Sequence, residues 1–164
     1  MSPDAFQALL QRFTTAAEAG DGAAFAACFT PEAVYHDYIY GDHSGHASIA
    51  HMMSELFHRD AGPDYRWQMF DPVCNGDLAY ATSLSSFTSQ VPEFAGRRVV
   101  IDGISRFELR GGLISDYRES VNGGVAMVQL GVGSPRLEKV LQRWSRQLIE
   151  QPATQAFLAR PKGA

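Results

Sequence analysis

Apolar residues recur at helical spacing in the first twenty positions, where Phe6, Leu9, Leu10, Phe13 and Ala17 fall on one stripe. Ser2 and Pro3 place a cap and a first-turn proline ahead of that stripe, and Gly20 closes it. Asp21 can cap a second, shorter helix carrying Phe25, Cys28 and Phe29, ended by a Thr30-Pro31 turn. From Ala33 to Tyr40 the β-branched and aromatic residues predict a strand, broken by a loop from Gly41 to Gly45. In a regular strand Tyr35 and Asp37 share one face, and Val34, His36 and Tyr38 share the other. Helical spacing returns from about His46, with Ile49, Met52, Met53, Leu56 and Phe57 inward and His51, Ser54, Glu55 and His58 toward water.

After Gly62-Pro63 the pattern changes to strands over 65–73, 78–90, 98–109 and 113–121. The turns between them are short, so neighbouring strands should pair antiparallel. Ser134 and Pro135 then open a last helix with Leu137, Val140, Leu141, Trp144 and Leu148 on one side, suited to packing across the body or a neighbouring subunit. Residues beyond Gln151 carry little pattern. The order of elements is α+β: a curved, mostly antiparallel sheet wrapped by three helices from the N-terminal half, plus a C-terminal helix. Residues 1–133 should form the body, and 134–164 a helical extension of the same domain.

Composition narrows the class. A chain of 164 residues with 45% hydrophobic and 20% charged residues is expected to form one globular domain with a substantial core. It has 14 basic and 18 acidic residues, a net charge of -4, and no basic run of the kind that neutralises phosphates, so no nucleic-acid partner is expected. No stretch is apolar enough to cross a membrane, and MSPDAFQALL lacks the features of a signal peptide, which predicts a cytoplasmic location. Cys28 and Cys74 read as small buried hydrophobes rather than a disulfide or part of a zinc site.

The stretches LLQRFTTAAEAGDGAAFAACFTPEAVYHD and IDGISRFELRGGLISDYRES resemble the SnoaL-like, nuclear-transport-factor-two-like superfamily of cone-shaped domains. That superfamily includes ketosteroid isomerases, limonene epoxide hydrolases, polyketide cyclases and dehydratases, and the resemblance spans roughly residues 6–121. It places the isomerases' general-base aspartate on Asp37, their oxyanion tyrosine on Phe13, and their protonated aspartate at or next to Gly103. The last acidic residue of the epoxide hydrolases falls on Glu119 in DYRES; their remaining two polar residues fall near Leu84 to Ser86, where neither Arg nor Asp occurs. Polyketide cyclases of the superfamily rely on one acidic residue.

Read by strand face, the concave side should collect Tyr35, Asp37, Tyr80, Thr82, Ser86, Ser105, Tyr117 and Glu119 against apolar helix residues such as Phe13 and Met53. A carboxylate in such a cavity loses hydration and becomes a better base, and a tyrosine hydroxyl can donate to a developing oxyanion. Asp37, Tyr35, Glu119 and Tyr117 are therefore the catalytic candidates, with Tyr80, Thr82, Ser86, Ser105, Phe13 and Met53 around the substrate. The plainer roles are a turn-capping aspartate for Asp37, a surface partner of Arg118 or Arg106 for Glu119, and core packing for the tyrosines.

His36 should face away from Asp37, toward the outer sheet face or a dimer interface. His43 and His46 have loop spacing that a divalent metal can use, but no second matched pair accompanies them, so no metal and no cofactor is expected. The expected function is acid/base chemistry on a small apolar carbonyl or hydroxyl compound by a homodimer joined through the outer sheet face. The alternative is a non-catalytic module for a small ligand or a protein partner.

Overall fold

The computed structural model describes residues 1–37 and 39–161. The chain divides into two compact units, Met1–Leu130 and Gly131–Ala164. The first holds a curved, open, six-stranded sheet: β1 Phe29–Asp37, β2 Gly41–Ser44, β3 Arg66–Asn75, β4 Leu78–Thr88, β5 Arg98–Arg110 and β6 Leu113–Val121, in the order β2-β1-β6-β5-β4-β3. Only β1 and β6 run parallel; the remaining neighbours are antiparallel, in the α+β arrangement expected from the sequence.

Helix α1, Pro3–Ala19, starts where the Ser2 hydroxyl accepts from Ala5 N at 3.2 Å and ends at Gly20 in the left-handed conformation (φ 66°). The His58 ring occupies the space that a Cβ on Gly20 would need, so glycine serves there both for its backbone angle and for the close approach. His58 is thus packed on the end of α1 rather than turned to water. Asp21 accepts from Ala24 N at 2.9 Å and caps α2, Gly22–Ala26. The aromatic stripe of α1 is fully buried against the concave face of the sheet. Phe13 lies 4.7 Å from Phe25, 4.8 Å from Trp67 and 5.4 Å from Tyr117, ring centre to ring centre.

The third helical stretch is three segments in succession: α3 Gly45–His51, a π-helical stretch Met52–Phe57, and α4 His58–Ala61. The wider π turn changes the helical register in mid-helix, and Met52 and Met53 are both buried there. The exposed end of α1 closes part of one sheet edge, since Glu18 Oε1 accepts from Trp67 N on β3 at 2.8 Å.

Several details depart from the sequence expectation. Strand β1 begins at Phe29, so Pro31 lies inside it, in the stretch where its register with β6 shifts between Phe29 and Val34. Residues 41–44, expected as a loop, pair back on β1 as β2, with Tyr35 opposite His43 and Asp37 opposite Gly41. Tyr38 lies outside the described residues. A short helix α5, Gly123–Gln129, follows β6, and Gln129 caps β5 by accepting from Val100 N at 2.6 Å and donating to Val100 O at 3.0 Å.

The second unit contains α6 Ser134–Glu150 and α7 Pro152–Ala159, the latter beyond the point where the sequence pattern fades. Among the described residues no helix is long and apolar enough to cross a membrane.

Candidate active site

The inner face of the sheet is closed at one end and accessible at the other. Ala33, Ala79, Phe107, Leu109 and Ile114 are buried at the closed end. Asp37 at the end of β1, Ser85 and Phe87 on β4, Ile101 on β5 and Glu119 on β6 are only half-buried. Because β1 and β6 run parallel, their C-terminal ends bring Asp37 and Glu119 to the same accessible end. Tyr35 stacks on Tyr117 one step deeper, with ring centres 4.7 Å apart and planes 25° apart.

Asp37 Oδ1 accepts from Ile39 N and Tyr40 N at 2.6 and 2.7 Å. The aspartate does cap the turn into β2, but this uses only Oδ1; among the described residues Oδ2 makes no hydrogen bond. Tyr40 in turn donates to Asp60 Oδ2 at 2.7 Å, tying this turn to α4. Glu119 leaves the arginines to other acids: Arg118 pairs with Asp116, and Arg106 with Glu108, on the opposite face. Tyr117 Oη instead donates to Glu119 Oε2 at 3.1 Å, and Ser105 Oγ lies 2.9 Å from the same phenol. With the phenol proton committed to Glu119, the Ser105 hydroxyl donates to Tyr117, giving a directed chain of three groups.

Burial, and then the neighbouring Asp37 charge, push the Glu119 carboxyl up to about 7, against the Tyr117 hydrogen bond that favours its ionised form. Burial also raises Asp37, while its two backbone amides and His43 pull it back. Asp37 therefore ionises first, and its charge then holds the proton on Glu119. Burial followed by the Glu119 charge keeps Tyr35, Tyr65 and Tyr117 well above the ordinary phenol range, so all three remain hydroxyls.

The four catalytic candidates, Asp37, Tyr35, Glu119 and Tyr117, thus meet on one face of the sheet together with Ser105, and Phe13 of α1 packs on that face against Tyr117. Phe13 and Met53 lie in the packed core rather than at the accessible end. Tyr80, Thr82 and Ser86 are a correction: all three belong to the outer face, with Tyr80 bonded to Arg106 and Ser86 accepting from Arg98 at 3.0 Å. On β4 the small residues Ala79, Ala81 and Ser83 point inward because aromatic rings already fill that space, and Leu78, Tyr80 and Leu84 are left outside. Gly103 also faces inward, against β6 so closely that a Cβ would meet Ser120 O and Val121 Cγ1, both 2.7 Å away.

Tyr65, placed just before β3, was not singled out by sequence, and His43, which lies opposite Tyr35, was weighed there only as a metal ligand. Their only signal was strand pairing, which the sequence does not display. His36 faces outward as expected, held between Asp42 at 2.8 Å and Asp116 at 2.9 Å. His46 Nε2 donates to Phe29 O at 2.8 Å and His43 Nδ1 meets Ser48 Oγ at 3.1 Å, so the three histidines serve separate places. Among the described residues no group of three or more His, Cys, Asp or Glu side chains is placed to hold a metal ion.

A family model described as a SnoaL-like domain matches residues 10–117. The fold is similar to that of TsrD from Streptomyces laurentii, with a TM-score of 0.68 and 21% identity over 81% of this chain and 99% of that one. It is similar to a protein with a ketosteroid isomerase-like fold from Catenulispora acidiphila, solved in complex with trimethylamine (TM-score 0.69, 12% identity, 82% of this chain and 98% of that one). It is also similar to an LEH-like epoxide hydrolase from M. tuberculosis (TM-score 0.60, 16% identity, 79% and 92%). No curated protein matches the chain.

The raised Glu119 carboxyl makes a prediction about stability. An unfolded glutamate titrates near about 4.3. Between there and about 7 the unfolded chain has released a proton that the folded chain keeps, so this group withdraws stability as pH rises and the loss is complete above the window. Glu119→Gln should therefore stabilise the protein at pH 8 by on the order of 3–4 kcal/mol and leave it unchanged at pH 4. Urea unfolding of both proteins at the two pH values checks this, and an equal effect at both would contradict it.

Proposed function

Because the chain belongs to the family of SnoaL-like domains, we propose that its inner face carries out acid/base chemistry on a small, largely apolar carbonyl or hydroxyl compound, of the isomerase, dehydratase or cyclase type. The observation that carries this reading is the pair of half-buried carboxylates, Asp37 and Glu119, held at one accessible end with different affinities for a proton. Asp37 takes a proton from the carbon beside the carbonyl, and the C–H electron pair moves into the enolate. Protonated Glu119 and a tyrosine hydroxyl hydrogen-bond to the enolate oxygen as its charge grows. Return of the proton to the same carbon gives exchange, and its return to a conjugated one gives isomerisation. Attack of the enolate on a second carbonyl of the same molecule closes a ring.

A second reading, a non-catalytic module for a small ligand or a protein partner, draws on Phe13 and Gly103. These positions correspond to the isomerases' oxyanion donors and bring no donor of their own. Deuterium exchange next to the carbonyl of 2-tetralone in D₂O, followed by NMR, separates the two. The acid/base reading expects accelerated exchange that Asp37→Asn lowers by about 10²–10⁴-fold without unfolding the chain. Binding of ketones without any acceleration would favour the module.

The same proposal includes the homodimer. The outer sheet face carries Phe70, Val73, Leu84, Val100 and Ile104, all exposed, an apolar surface of the kind that oligomers cover. Light scattering should give twice the mass of the 18.0 kDa chain, and Ile104→Glu should return it to the monomer. A monomeric wild type would remove the dimer.

A further inference from the structure

Two helices of this chain have the same length and the same kind of apolar stripe but different surroundings. Helices α1 and α6 are each 17 residues long, and the stripe of α1 is buried against the concave face of the sheet. In α6, Leu137, Leu141, Trp144 and Leu148 recur at the spacing that puts them on one side of a helix, yet no residue of α6 or of α7 is buried. Leu148 keeps 59% of its surface exposed, and Phe157 and Leu158 on α7 keep 65% and 62%. Such a stripe ordinarily faces a core, so one left in water marks a surface that something else covers.

Charge identifies the partner. Arg136, Lys139, Arg143 and Arg146 recur at steps of three and four on the other side of α6. Residues 131–164 hold six basic and two acidic side chains, whereas residues 1–130 hold eight basic and sixteen acidic ones. Positive charge is thus concentrated in the unit whose apolar side chains are uncovered. At about 100° per residue, Arg136 and Arg143 fall roughly a third of a turn from the leucine stripe, at its border with water, and Lys139 and Arg146 fall nearly opposite it. The matching partner is apolar beneath the stripe and anionic at its rim.

We propose that this unit is a docking surface for an anionic lipid bilayer, with α6 lying flat in the headgroup layer. The leucine stripe enters the upper acyl region, Arg136 and Arg143 meet lipid phosphates, and Lys139 and Arg146 add attraction from about a Debye length away. Phe157 and Leu158 of α7 add exposed apolar surface in the same unit. The helix does not span the bilayer, because it is only about 25 Å long and six of its 17 residues are charged. Two other partners fit less well. Pairing of two helices through such a seam takes roughly three or more heptads, and α6 holds about two. A nucleic acid would engage the arginines but leave Leu148, Phe157 and Leu158 in water. The docking surface is independent of Asp37 and Glu119, so the chemistry of the inner face does not enter its test.

The test is co-sedimentation of the intact chain with vesicles of phosphatidylcholine alone and with vesicles of equal parts phosphatidylcholine and phosphatidylglycerol. The mixed vesicles should bind at least about tenfold more tightly, and their binding should weaken as salt is raised. The Leu141→Gln, Leu148→Gln double variant should lose binding while its circular dichroism stays that of the wild type, since both side chains are exposed. The Arg136→Gln, Arg143→Gln double variant should lower the preference for mixed vesicles at least about fivefold. Equal binding to both kinds of vesicle, no binding to either, or unchanged binding in the leucine variant would each overturn the proposal. So would binding of polyglutamate or single-stranded RNA as tight as that of the mixed vesicles, which would assign the basic side to an acidic protein or a nucleic acid instead.

Discussion

Five aromatic rings meet around Phe13, whose ring centre lies between 4.7 and 6.0 Å from those of Phe25, Phe29, Trp67, Phe107 and Tyr117. That volume is contributed by α1, by α2, and by the inner face of the sheet, and little room remains for anything else. Strand β4 can cross it only with Ala79, Ala81 and Ser83 facing inward. Once the closed end is filled in this way, the next inward positions on β1 and β6 are Asp37 and Glu119, where the packing gives way to solvent. The acids are thus held at the edge of a dense core, close enough to low-polarity surroundings to resist ionisation and open enough to be reached.

The chemistry follows from the difference between the two acids. Asp37 keeps two amide donors on Oδ1 and so accepts charge more readily; Glu119 has one phenol donor and a charged neighbour. The Tyr117 hydroxyl connects this acid to Ser105 through hydrogen bonds inside the core, which fixes the orientation of the glutamate while its other oxygen remains outside that chain. The outer face uses the opposite strategy. There Asp116 is surrounded by His36, Arg106 and Arg118, and its carboxyl lies below the ordinary range despite partial burial.

Much of this was legible in the sequence. The apolar stripe of α1, the glycine turns between strands, and the shared face of Tyr35 and Asp37 come from periodicity that the fold preserves. Strand β4 was not legible, because Leu78-Ala79-Tyr80-Ala81-Thr82-Ser83 presents two alternating faces and the sequence alone favours the larger residues inside. Rings from α1 and β3 decide otherwise. Strand β2 has one histidine and no aliphatic residue to mark it, so its pairing with β1, and with it the placement of His43, rests on tertiary contact. Glu119 stood between two plausible partners in sequence, and only its parity on β6 separates it from the arginines.

The central claim is that Asp37 and Glu119 act on one another and divide the roles of base and acid. Carbon-detected NMR of the side-chain carboxyls, followed from pH 3 to 9 with Asp37→Asn and Glu119→Gln used for assignment, measures it directly. Glu119 should titrate at about 7 in the wild type and at a lower pH once Asp37 is replaced by asparagine. A Glu119 that titrates in the ordinary carboxylate range, or whose midpoint is unmoved by Asp37→Asn, would contradict it.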